Sequence, residues 1–150
     1  MLQRIISGGQ TGVDRAALDV AIELGIACGG WCPLGRRAED GAIPDRYPLT
    51  QTPTDEYPER TEWNVRDADG TLILCRGRPD RGTALTARLA RRLKKPLFEV
   101  DLDAPVPAEA VRPWLDAQGI ATLNVAGPRE SSQPGIGEQA RAFLRGVLAT

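Results

Sequence analysis

At 150 residues, 41% hydrophobic and 26% charged, the chain can bury a core and has the composition of a globular fold rather than a disordered one. Its 19 basic and 20 acidic residues leave a net charge of −1, so neither nucleic acid nor a membrane surface is expected as a partner. With 0 histidines, Ser-His-Asp and Cys-His nucleophile activation and His-ligated zinc are excluded together, and acid–base work would fall to carboxylates, Lys, Tyr or water.

No apolar run reaches the ~18 residues of a membrane span, and the first nine residues lack the basic lead of a signal peptide. Cys28, Cys32 and Cys75 form no CxxC pair. Reduced thiols and a cytoplasmic location follow as expectations.

Taken in order, strand-like and helix-like runs alternate. Residues 2–7 form a short apolar strand stopped by Gly8-Gly9. A helix over 13–24 places Val13, Ala17, Val20, Ala21 and Leu24 on one face, with Gly25 as its stop. Residues 26–31 suggest a strand interrupted by glycines. The proline-rich stretch 33–58 reads as a long loop, a length often tied to function. A short helix over 59–68 precedes a strand at 71–75. A helix from Gly82-Thr83 to residue 95 leads to a strand at 97–102. Residues 107–118 read as helix and 121–125 as the last strand. Ile136, Ala140, Phe143, Leu144, Val147 and Leu148 stripe the final helix.

The whole predicts one domain over 1–150. It is a three-layer α/β/α Rossmann-like fold with a mainly parallel sheet, in which strands 2–7 and 71–75 are adjacent. Ligands of such sheets bind outside the carboxyl ends of the strands. Three strand-to-helix loops therefore become candidates for a small phosphate-bearing ligand. The first holds Gly8, Gly9, Gln10, Thr11, Gly12 and Asp14. Glycines admit close backbone approach, the helix start offers N–H groups, and Asp14 either caps the helix or accepts from a ligand hydroxyl or ring nitrogen. The second runs from Arg76 through Gly77, Arg78 and Arg81 to Gly82 and Thr83. The third holds Arg129, whose guanidinium can fork onto phosphate, and Ser131. Arg36 in the long loop joins them. Beside it Glu39-Asp40 offers a general base, a water-assisted metal ligand pair, or ordinary loop charge. Trp63 reads as core rather than a stacking platform.

The strings SGGQTGVDRAALD, CPLGRRAEDGAIP, RTEWNVRDADGT and LNVAGPRES together resemble the putative molybdenum carrier family. That family is similar to a wider Rossmann-like group containing lysine-decarboxylase-like phosphoribohydrolases and cofactor carriers. The resemblance implies binding of molybdenum cofactor or a nucleotide. It also carries a departure. The phosphoribohydrolases use PGGxGTxxE. Here Gly82-Thr83 is kept, Pro79 and Asp80 replace the two earlier glycines, and Thr86 stands at the glutamate position. Retained binding and lost hydrolysis follow.

Two readings remain beside a third, a scaffold whose loops bind a protein. One is a carrier or sensor of molybdenum cofactor or a related pterin or nucleotide phosphate. The other is a nucleotide or nucleoside N-glycosidase using Glu39 or Asp40. Homo-oligomerisation is compatible with either.

Overall fold

The computed structural model describes residues 1–104 and 107–149. Along the chain run β1 (Arg4–Ile6), α1 (Val13–Leu24), β2 (Ala27–Gly29), β3 (Trp31–Cys32), β4 (Arg37–Ala38), β5 (Gly41–Ala42) and β6 (Thr50–Gln51). Then come α2 (Tyr57–Asp67), β7 (Gly70–Cys75), α3 (Arg81–Arg92), β8 (Leu97–Asp101), α4 (Val111–Ala117), β9 (Thr122–Ala126) and α5 (Ile136–Leu148). Five of these strands form a parallel sheet in the order β2-β1-β9-β7-β8.

The sheet is a core element because its strands carry continuous apolar runs. Every residue of β7 is buried, as expected where helices cover both faces of a parallel sheet. On one face α1, α4 and α5 bury Val13, Ala17, Val20, Val111, Leu115, Ile136, Ala140 and Leu144 against Leu72, Leu74 and Leu123. On the other, α2 and α3 pack Val65, Leu89 and Ala90 together over Leu97.

Local chemistry sets the element ends. Gly25 closes α1 in the left-handed region. Pro58 is accepted in the first turn of α2, which therefore begins ahead of the expected residue 59. Asp80 caps α3 by accepting from the Thr83 N–H at 2.8 Å. That helix stops at Arg92, short of the expected 95, because Lys94 adopts φ 57° and Pro96 disfavours a helical residue before it. The expected helix over 107–118 is a 3-10 turn (Ala108–Ala110) followed by α4.

Two expectations are corrected. Strands 2–7 and 71–75 are not adjacent, because β9, the last strand in the chain, pairs with β1 on one side and β7 on the other. The region 33–58 is not a bare loop. Within it β4 pairs with β5, and β6 pairs with β3 just ahead of the region. Ile43, Tyr47, Cys32 and Ala38 bury a small core with Leu18 of α1, so the segment is a built wall rather than a strap.

Read from β9 as though the chain ends were joined, the strand order becomes 3-2-1-4-5, that of a doubly wound dinucleotide fold. The winding reverses between β9 and β7, and there the sheet opens a crevice.

Candidate functional site

A cavity of about 520 Å³ lies at that reversal, within the range of small-molecule sites. Four segments line it: Gly8, Gln10 and Asp14 after β1; Asp80 to Thr83 and Thr86 at the start of α3; Asn124 to Ala126 at the end of β9 with Gly127 and Arg129 beyond it; and Tyr57, Arg60, Thr61 and Asn64 from α2. Close backbone approach makes the convergence possible. A Cβ on Gly127 would stand 2.1 Å from the Leu74 carbonyl oxygen and 2.6 Å from Val13 Cγ2. Gly12 sits at φ 79° with the Pro128 carbonyl 2.4 Å from where its Cβ would be, so the loops after β1 and β9 touch.

The α3 wall carries a polar group without a partner. Among the described residues, Thr83 Oγ1 is the buried side-chain oxygen that makes no hydrogen bond. It sits in the first turn of a 12-residue helix, where N–H groups and the dipole favour an anion. Arg81 lines the same wall. Thr86 Oγ1 donates back to the Gly82 carbonyl at 3.1 Å.

The cavity lining also holds a buried ion pair. Asp14 is 6% exposed, with Arg60 Nη1 at 3.5 Å from its Oδ2. Burial pushes the Asp14 carboxyl up to about 6 against the pull of Arg60. Arg60 is held on all sides: Nη1 donates to the Gly8 carbonyl at 2.9 Å, Nε donates to Thr61 Oγ1 at 3.2 Å, and the guanidinium lies 5.2 Å from the Tyr57 ring centre.

A family model described as the circularly permutated YpsA SLOG family matches residues 5–148. The chain belongs to that family. Its strand order, regular once read from β9, accords with a permuted chain. A solved structure of a putative molybdenum carrier protein from Syntrophus aciditrophicus SB is 46% identical, with a TM-score of 0.96 over 99% of this chain and 96% of that one. The resemblance drawn from the sequence strings stands on both findings. No curated protein matches.

Of the residues expected at the site of this YpsA-type chain, Gly8, Gln10, Asp14, Gly82, Thr83 and Arg129 line the cavity. Gly9, Thr11, Gly12 and Ser131 stand behind that lining. Thr11 Oγ1 accepts from the Glu130 N–H at 3.1 Å, and the Thr11 and Ser131 hydroxyls both donate to the Glu39 carboxylate. Glu39 also takes the Ser131 N–H at 3.2 Å and lies 3.7 Å from Arg129 Nε. Partial burial raises its carboxyl, but these donors outweigh that and hold it below its ordinary value. Asp40 makes a fork with Arg15 at 2.5 and 2.7 Å, which lowers its carboxyl. Both acids tie the wall of residues 33–58 to the loops and α1, outside the cavity lining.

Arg36 also lies outside the lining. Its guanidinium donates to the carbonyls of Ile43, Leu49, Pro44 and Tyr47 and so frames the insert. Gly77 is outside the lining as well, its N–H donating to Asp101 at 3.0 Å. Arg76 clamps the start of α5 through Gln139 and the Pro134 carbonyl. Sequence reasoning gave no site role to Arg60, Asn124, Asp80 or Tyr57. For Arg60, its place with Thr61 and Asn64 on one side of α2 was the available signal. Trp63 is half-buried and meets Trp31 edge-on at 4.8 Å.

Proposed function

We propose that this protein is a carrier or sensor that holds a phosphate-bearing nucleotide- or pterin-type ligand, molybdenum cofactor among them, in the cavity between β9 and β7. The observation that carries the reading is Thr83 Oγ1, buried and partnerless in the first turn of α3 on the cavity wall. A buried polar atom costs free energy until something bonds it. Turned toward the cavity about χ1, the Thr83 hydroxyl would donate to a phosphate oxygen beside the Arg81 and Gly82 N–H groups, with Arg81 and Arg129 supplying positive charge against the Asp80 carboxylate that caps the helix.

The residues fit the organic part and phosphate of molybdenum cofactor rather than its metal. Among the described residues, no three His, Cys, Asp or Glu gather as a metal-binding group. Cys75, at the end of β7, is buried, and burial with the Asp101 charge pushes its thiol up to about 11, which disfavours a ligating thiolate. A bound cofactor would bring its metal already coordinated, and the chain would hold and shield it. The name of the Syntrophus protein supports a carrier role.

A hydrolase reading draws on one observation, that Asp14 is a cavity carboxyl with a raised pKa. Thr86 supplies no carboxylate where the related enzymes hold glutamate. Native mass spectrometry of freshly purified protein, with calorimetry against GMP and inorganic phosphate, tests the carrier reading. A co-purified or titrated phosphate ligand is expected. Absence of binding to every phosphate compound, or turnover of nucleoside 5′-monophosphates to free base, would overturn it.

A further inference from the structure

We propose that the cavity holds a second recognition point, the Asp14 carboxylate with its unbonded Oδ1 and weakly engaged Oδ2, which reads paired hydrogen-bond donors on the ligand. Such donors occur as the vicinal hydroxyls of a ribose or as the amidine edge of a guanine- or pterin-type ring. The inference rests on the phosphate-ligand reading above and extends it to what the rest of the ligand must look like.

The geometry leaves Asp14 half-satisfied. Its Oδ2 accepts the Gln10 N–H at 3.3 Å and faces Arg60 Nη1 at 3.5 Å. Its Oδ1 makes no hydrogen bond to the described residues and, unlike Thr83 Oγ1, keeps some exposed surface where the largely buried side chain lines the cavity. Arg60 neutralises the charge without occupying that oxygen, because Gly8, Thr61 and Tyr57 fix the guanidinium. The other charged groups near Asp14 do not fill it either. Arg15, from the same helix, is bound to Asp40 and the Gly9 carbonyl, and Asp80, from the α3 cap, is a like charge.

An ionised carboxylate only accepts hydrogen bonds, so this position repels a phosphate and welcomes N–H or O–H groups. The two points thus orient a ligand, with its phosphate at Thr83 and its donors at Asp14. A site built to bond a donor rejects an analogue that lacks it, because the bound analogue would cover the acceptor without pairing it. Burial that holds Asp14 at about 6 fits an acceptor still awaiting its donors. Donors arriving there would lower that value and release a proton near pH 6. The ligand's phosphate also titrates near ~6, so the Asp14 share is what disappears in Asp14→Asn.

The test is calorimetry near neutral pH with GMP, IMP, 2′-deoxy-GMP and ribose 5-phosphate, on wild type and on Asp14→Asn. IMP lacks one amidine donor and 2′-deoxy-GMP lacks one ribose hydroxyl. On wild type at least one of these deletions should weaken binding by about tenfold or more relative to GMP. Loss with IMP assigns the ring edge, and loss with 2′-deoxy-GMP assigns the ribose. In Asp14→Asn the same deletion should matter much less. If GMP, IMP and 2′-deoxy-GMP bind wild type equally, the inference is overturned while the phosphate reading stands. If none of the four compounds binds, both fall. The wild-type series alone decides, even if the variant folds poorly.

Discussion

Replacing Asp14 with asparagine should flatten part of the pH dependence of folding. The carboxyl has an ordinary value of 3.8 and is raised to about 6 in the fold by burial. Below the lower value it is protonated in both states and contributes nothing unfavourable. As pH rises through about 6, the folded protein must ionise a buried group that the unfolded chain ionises easily, and stability is lost. A shift of about two units corresponds to on the order of 3 kcal/mol in full. Between pH ~4.5 and ~7.5, roughly 2 kcal/mol of it falls in the accessible window.

Wild type should therefore lose about 2 kcal/mol relative to Asp14→Asn across that window, or about 4–8 °C in Tm for a chain of this size. Urea titrations followed by circular dichroism at several pH values read the difference directly. Carboxylates with lowered values, such as Asp40 and Asp67, give an opposite slope, but they are common to both proteins and cancel. Any effect of stranding Arg60 is constant with pH and cancels as well. Parallel stability curves for the two proteins would refute the reasoning, because Asp14 would then be solvated rather than buried.

Thr83→Val removes the partnerless hydroxyl; thermal melts should show the ligand-free protein unchanged or up to ~1–2 kcal/mol more stable, with weaker phosphate binding by titration, and a clear loss of stability would mean the hydroxyl is bonded. Gly127→Ala drives a Cβ into the Leu74 carbonyl and Val13, so chemical denaturation should report a loss of about 3 kcal/mol or more; a near-neutral result would disprove the close approach of the loop after β9. Glu39→Gln should cost about 1 kcal/mol at neutral pH and less as pH falls, since a lowered carboxyl contributes its stability above its unfolded value; an effect that grows toward acid would reverse the assignment. Chromatography of nucleoside 5′-monophosphates incubated with the protein should detect no released base above control, since Thr86 offers no carboxylate.

The helices and the buried strands were legible because their signal is local. Val13, Ala17, Val20 and Ala21 repeat at helical spacing and are all buried, and β7 is an unbroken apolar run. The candidate loops were legible for the same reason, since glycines and a capping Asp80 mark strand-to-helix turns. Strand order was not, because the position of β9 depends on pairings with residues more than 50 positions away. Arginines were the hardest to place. Arg36 and Arg129 look alike in sequence, yet one is absorbed by four backbone carbonyls of the insert while the other lines the cavity. Backbone carbonyls carry no sequence signature, so a guanidinium destined for them cannot be told from one destined for an anion.

Strand order also decides which helix end is left for a ligand. With β9 in the place of a first strand, the start of α5 would be the position where doubly wound folds hold a pyrophosphate. Here Glu130 already occupies it, its carboxylate accepting the N–H groups of Gly135 and Gly137, the latter at 3.0 Å. The start of α1 is likewise engaged: the Gln10 N–H bonds Asp14, the Val13 N–H reaches the Pro128 carbonyl at 3.3 Å, and Thr11 is bound to Glu39 and Glu130. The starts of α1 and α5 are thus filled by the chain's own groups. The start of α3 carries its Asp80 cap on the Thr83 N–H but leaves the Thr83 hydroxyl unbonded just behind the cavity wall. Asp14 and Glu130 guard the starts of α1 and α5 against a second anion, while at α3 the capping Asp80 is faced by Arg81 and Arg129 on the cavity wall. This arrangement favours a ligand with one anionic end and one donor-bearing end over a pyrophosphate laid across the sheet edge.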